Sequence, residues 1–144
     1  MKAQITTNQK SEWIQPDYAL VHISEIMGLE NAAFDEIMVG NCLDQLTVAL
    51  RNTTMSSLIG KIKYGGKIIL TGADLTAISR GVITGSIDIE AAQNLIYKNN
   101  QSISSLELMV HLFQSFGLII KTKRLVNLQY TITAERPLSG EDHG

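Results

Sequence analysis

Two compact apolar runs, FDEIMV at 34–39 and KIILTG at 67–72, constrain this chain more than any other feature. Phe34, Ile37, Met38 and Val39 put apolar side chains on both faces of a strand, as a strand buried on both sides of a parallel sheet requires. Parallel neighbours cannot be joined by a tight turn; they need a crossover of roughly a dozen residues or more. The sequence supplies one. Over 43–62 the spacing turns helical, with Met55, Leu58, Ile59 and Ile62 on one face, and Tyr64-Gly65-Gly66 closes the segment.

The rest of the chain extends the same alternation. Residues 2–7 alternate weakly as a short strand, 8–17 form a polar loop ending in Pro16-Asp17, and 18–23 (YALVHI) form a second strand. Ser24 is placed to cap a short helical turn through Met27, which Gly28 stops. Asp74 to Arg80 reads as one or two helical turns, and Asp88 to Lys98 as a helix with Ile89, Ala92, Leu95 and Ile96 inward. Ser104-Ser105-Leu106-Glu107 offers a capping box for a helix whose stripe is Leu106, Met109, Val110, Phe113 and Phe116, closed by Gly117. Residues 118–126 and 128–135 alternate around Asn127 as a closing hairpin. Strand, helix, strand, helices and an antiparallel pair predict a three-layer α/β domain, Rossmann-like, with a mostly parallel sheet. Ligand loops then lie at the carboxyl ends of the strands.

Composition narrows the function classes. Of 144 residues 18% are charged and the net charge is −2, so no nucleic-acid footprint is expected. The lysines at 61, 63 and 67, and Lys121, Lys123 and Arg124, read as solvated faces. A single cysteine, Cys42, excludes an internal disulfide framework, and His22, His111 and His143 are too scattered for a metal site. The polar start, MKAQITTNQK, is unlike a signal peptide, and no apolar run reaches the ~18–20 residues of a membrane span. The expectation is a cytoplasmic protein without membrane contact, one domain over 1–137 and a polar tail over 138–144.

FDEIMVGNCLDQL, LIGKIKYGGKIILTGAD and LFQSFGLIIKTKRLVNLQYTITAERP together resemble the carboxyl-terminal half of a class I S-adenosylmethionine-dependent methyltransferase. They look like its fourth strand and loop, its helix with Gly-Gly turn and fifth strand, and its last helix with the final hairpin. The resemblance covers about residues 17 to 137. It implies S-adenosylmethionine as cofactor and methyl transfer to a small molecule or sugar. Asn41 would face the transfer centre and Asp74 the acceptor rim, while Ser24, Gly40 and Asn41 would lie on the cofactor side. The family's first strand ends in an acidic-x-Gly-x-Gly turn, where the stretch here reads AQITTNQK, and no glycine precedes Gly28. The acid after the second strand has no room before Asp17, and the chain after the third strand reads His22-Ile23-Ser24.

Each candidate also has a plain reading. Asp35 turns the chain into a strand, Asn41 after Gly40 is turn chemistry, and Asp74 is an N-cap. Cys42 reads as a buried thiol, His111 as a surface or packing residue, and Tyr97 and Tyr130 as core fillers. Trp13, an indole in a polar loop, marks a contact surface. Three functions stay open: a reduced methyltransferase; a non-catalytic methyltransferase-like scaffold, as a homo-oligomer or an accessory subunit; or another α/β enzyme using S-adenosylmethionine or a nucleotide at an intersubunit site. The shortened first half would leave a sheet edge suited to a partner.

Overall fold

A computed structural model describes residues 1–7, 16–98 and 100–138, so Trp13, His143, the 8–15 loop and most of the polar tail lie outside the described residues. Six strands form one sheet in the order β2-β1-β3-β4-β6-β5. They are β1 (Lys2–Thr6), β2 (Ala19–His22), β3 (Phe34–Val39), β4 (Ile62–Ala73), β5 (Ile119–Val126) and β6 (Gln129–Glu135). β2, β1, β3 and β4 run parallel, and β6 lies antiparallel between β4 and β5. The α/β, Rossmann-like architecture with a closing antiparallel hairpin is the one observed.

Side-chain alternation sorts the sheet into two unlike faces. Ala3, Ile37, Ile68 and Ala134 are cross-strand neighbours, as are Ile5, Val39, Leu70 and Ile132, and all join one buried core. Met55, Leu58 and Ile59 of α1 (Val48–Lys61) and Met109 and Phe113 of α4 (Leu106–Ser115) belong to the same core. The opposite face carries the row Gln4, Met38, Ile69 and Thr133, beside Thr71 and Thr131, none of which joins that core. The helices α2 (Leu75–Thr84) and α3 (Ile89–Tyr97) form a separate pair that buries little, with Ile78 and Ala92 as its buried large or small apolar contacts.

Local chemistry explains where the elements differ from the pattern in the sequence. The helix expected over 43–62 divides into a 3₁₀ helix, Asn41–Gln45, and α1, because the Thr47 hydroxyl caps a fresh start by accepting from the Leu50 N–H at 3.4 Å. Tyr64-Gly65-Gly66 does not close a helix; it lies inside β4 as a bulge between the Phe34–Ile62 and Glu36–Lys67 pairs. Gly65 takes φ +84°, and a Cβ on Gly66 would meet the Asp35 carbonyl oxygen at 2.9 Å. The turn at Ile23–Gly28 is capped by His22 rather than Ser24: the His22 ring accepts from the Ser24 N–H, and the Glu25 carboxylate accepts from the His22 N–H. Ser105, not Ser104, caps α4.

Lys61 is buried rather than solvated, donating to the Leu29 carbonyl at 2.9 Å and the Asn31 side chain at 2.8 Å. Tyr97, expected in the core, is 71% exposed, whereas Tyr130 is buried with its hydroxyl 2.6 Å from that of Ser104.

That buried tyrosine packs directly on Gly72, where a Cβ would come within 2.5 Å of its hydroxyl oxygen. Gly72→Ala should therefore destabilise the fold by about 1–3 kcal/mol through overpacking. Gly28→Ala, whose Cβ meets nothing within 4 Å, should be nearly neutral. Equal thermal midpoints for the two variants would refute the packing assignment.

Candidate functional site

The carboxyl ends of β3 and β4 open onto a cleft of about 560 Å³. Asn41, Asp44 and Gln45 reach it from the 3₁₀ helix after β3, and Ala73 from the end of β4. α3 and the segment after it form a second wall through Asn94, Leu95, Lys98 and Asn100, and the β5–β6 turn a third through Asn127, Leu128 and Gln129. This is the side of the sheet where βα loops gather ligands.

Asn41 lies at the mouth of the cleft, at the start of the 3₁₀ helix after β3. Its Oδ1 accepts from the Thr71 hydroxyl at 3.1 Å and from Gln129 Nε2 at 3.3 Å, which fixes the amide plane and leaves Nδ2 without a partner among the described residues. Gly40 precedes it, and a Cβ there would meet nothing closer than Thr71 Oγ1 at 4.0 Å. Ser24 stands apart on the turn after β2, its hydroxyl 2.7 Å from His22 Nδ1.

Asp74 follows Ala73 but does not line the cleft. It is 3% exposed, and its two carboxylate oxygens accept from the Ala77 and Leu106 N–H groups, each at 2.8 Å, so one side chain caps both α2 and α4. Asn41, Gly40 and the cleft are thus brought together, while Asp74 is held beneath it and Ser24 beyond it.

The residue that the sequence reading passed over is Asp44, within the quoted FDEIMVGNCLDQL stretch itself. It lines the cleft yet is only 3% exposed. Burial pushes its pKa up from 3.8 to about 6, against the opposing pull of the Ala73 N–H and the Arg51 guanidinium. Arg51 is itself 3% exposed, its Nη1 donating to the Ile103 carbonyl at 3.4 Å. The Asp44 carbonyl accepts from Gln101 and Ser102, which ties this loop to the segment before α4. A carboxyl titrating near neutrality at the wall of a cleft is suited to taking or giving a proton. The only trace of this in the sequence was an acid set between Leu43 and Leu46.

Cys42 is buried as expected, and burial raises its thiol pKa to about 12. Its sulfur lies 3.9 Å from both the Ile5 and the Gly40 carbonyl oxygens, between the ends of β1 and β3. That position is the topological switch point, where a nucleotide-type cofactor enters such a sheet. The buried Cys42 side chain packs there against carbonyls at the ends of both strands. The described residues at the ends of β1 and β2, namely Thr6, Thr7, His22, Ile23 and Ser24, include no glycine and no carboxylate. These described residues do not by themselves make up a complete S-adenosylmethionine site.

No family model matches the sequence, and no curated protein matches it. Solved structures do match its fold. An O-methyltransferase family protein from Burkholderia thailandensis superposes with a TM-score of 0.61 at 12% identity, over 83% of this chain and 36% of that one. A SAM-dependent methyltransferase from Archaeoglobus fulgidus gives 0.61 at 12% identity, over 92% of this chain and 75% of that one. A Haloferax volcanii complex of a methyltransferase activator with a putative methyltransferase gives 0.60 at 9% identity, over 90% and 66%. The chain spans about a third of the length of the Burkholderia protein. At these identities the likeness establishes the fold, which is that of the class I methyltransferases.

Asp74→Ala removes two helix caps at once and should cost about 2–3 kcal/mol, since one cap is typically worth ~1. Asp74→Asn, which keeps one acceptor oxygen, should cost clearly less in the same denaturant titration. Asp44 predicts the opposite behaviour of an ordinary paired acid. Its folded pKa is raised, so its share of the stability is present below pH about 4 and is lost as pH rises to about 6. Unfolding free energies of the wild type and Asp44→Asn, measured across that window, should converge toward low pH and separate toward high pH.

Proposed function

We propose that this chain is a methyltransferase-like domain whose working site is the cleft beside Asp44, and that the cleft holds a small polar acceptor. The activity we assign to it is S-adenosylmethionine-dependent methylation of a small molecule or sugar. One observation carries the reading: a buried carboxyl with a pKa near 6 lines a cleft at the carboxyl ends of the central strands. In this role Asp44, as carboxylate, takes the proton of an acceptor hydroxyl, and the free Nδ2 of Asn41 donates a hydrogen bond that orients it. Ser24 and Gly40 stand on the donor side, at the ends of β2 and β3.

The described residues at the ends of β1 and β2 give the donor wall no glycine turn and no carboxylate. A second copy or an accessory subunit is the partner that would complete it, and the Haloferax structure is a complex of a methyltransferase activator with a putative methyltransferase. A non-catalytic scaffold is the second reading, favoured by Cys42 standing at the switch point. A nucleotide-using enzyme with an intersubunit site shares the need for a partner but has no observation of its own.

Calorimetric titration with S-adenosylmethionine and S-adenosylhomocysteine, below and above the concentration of self-association, separates these readings. Completion by a second copy predicts binding no tighter than millimolar for the monomer and micromolar binding, about −8 kcal/mol, on association. No binding in either state leaves the scaffold reading. Where transfer occurs, Asp44→Asn should slow it by about 10²–10⁴-fold and abolish a rise in rate centred near pH 6. An unchanged rate would remove Asp44 from the chemistry.

A further inference from the structure

Six of the side chains that line the cleft are primary amides: Asn41, Gln45, Asn94, Asn100, Asn127 and Gln129. Such a concentration demands a reason, because each amide carries two donor hydrogens and a two-lone-pair acceptor that water or a ligand has to satisfy. Asn41 and Gln129 satisfy part of theirs through one mutual hydrogen bond and the Thr71 hydroxyl. The side chains of Gln45, Asn94, Asn100 and Asn127 take part in no hydrogen bond among the described residues. They come from four different segments and converge from three walls; Asn127 also holds the left-handed turn between β5 and β6 at φ +57°, a conformation that asparagine favours, but Gln45, Asn94 and Asn100 meet no such backbone demand.

We infer that the cleft binds a polyhydroxylated, glycoside-type ligand, with the amide ring meeting its hydroxyl groups. A sugar hydroxyl both donates and accepts, and an amide offers a donor and an acceptor side by side, so vicinal hydroxyls are matched in either sense. Asp44 adds an acceptor, and Ala73, Leu95 and Leu128 give the C–H face of a sugar a small aliphatic surface. A planar aromatic or nucleobase ligand fits less well, because none of the lining residues is Phe, Tyr or Trp to stack on it. An extended peptide would line up along a sheet edge, whereas these amides surround a compact space. The volume, about 560 Å³, falls in the range of small-molecule pockets.

This inference rests on reading the cleft as the acceptor site, but it does not require methyl transfer. Saturation-transfer NMR of the full chain, with no S-adenosylmethionine present, tests it against methyl glycosides, disaccharides, nucleosides and indole. Sugars should bind, and the double variant Gln45→Ala/Asn94→Ala, both positions outside the core, should lose affinity at least about tenfold, the equivalent of about 1.4 kcal/mol. Thr53→Ala, on the outer surface of α1, serves as the folded control. Preference for nucleosides or indole, equal sugar binding by the double variant, or no sugar binding at all would each overturn the inference. Sugar binding without any methylation would leave it standing while the transfer reading failed.

Discussion

Asp74 is the joint on which the carboxyl end of the sheet depends. Its N–H donates to the Leu128 carbonyl, its two carboxylate oxygens hold the first turns of α2 and α4, and its backbone bridges to Ser104. A carboxylate 3% exposed is costly unless its charge is met. Two helix N-termini meet it, with N–H groups and with the positive ends of their dipoles. One residue thus fixes the end of β4, the helical pair that walls the cleft, the segment leading to α4 and the turn of the final hairpin. The cleft exists because these four pieces are held at set distances from one another.

The two faces of the sheet are unlike. One face is filled by α1, α4 and the inward rows of four strands. The opposite face carries Gln4, Thr71, Thr131 and Thr133 beside Met38 and Ile69. Between the ends of β1 and β3 the buried Cys42 packs against the Ile5 and Gly40 carbonyls. The polar and titratable groups of the cleft are therefore gathered at the carboxyl ends of β3 and β4. Fold likeness alone would have hidden that, because it reports the path of the backbone and not the groups placed along it.

Much of the architecture was legible because buried strands announce themselves. FDEIMV, KIILTG and the closing hairpin were readable from apolar content and alternation, and Asp88, Ser105 and Gly117 marked helix ends by ordinary capping chemistry. The misreadings share a cause. Gly65-Gly66 looks like a stop signal, yet β4 continues through it, because pairing with β3 and β6 outweighs a local preference. The break at Thr47 carries a capping hydroxyl, but the apolar stripe from Met55 to Ile62 marks only the later turns and says nothing of where the helix begins. Lys61 and Tyr97 exchanged expected places, since burial depends on what packs above a residue and not on its type.

By itself the sequence determined the order of strands and helices, the mostly parallel sheet and the lack of a glycine turn at its start. Those follow from periodicity and from residue identity, which are local properties. Only the tertiary structure decided that Asp74 is a double cap, that Asp44 is buried and shifted toward neutrality, and that six amides separated by up to eighty-eight positions, as Asn41 and Gln129 are, share one cleft. Desolvation and convergence are set by what the folded chain brings near, and no single stretch of sequence contains them.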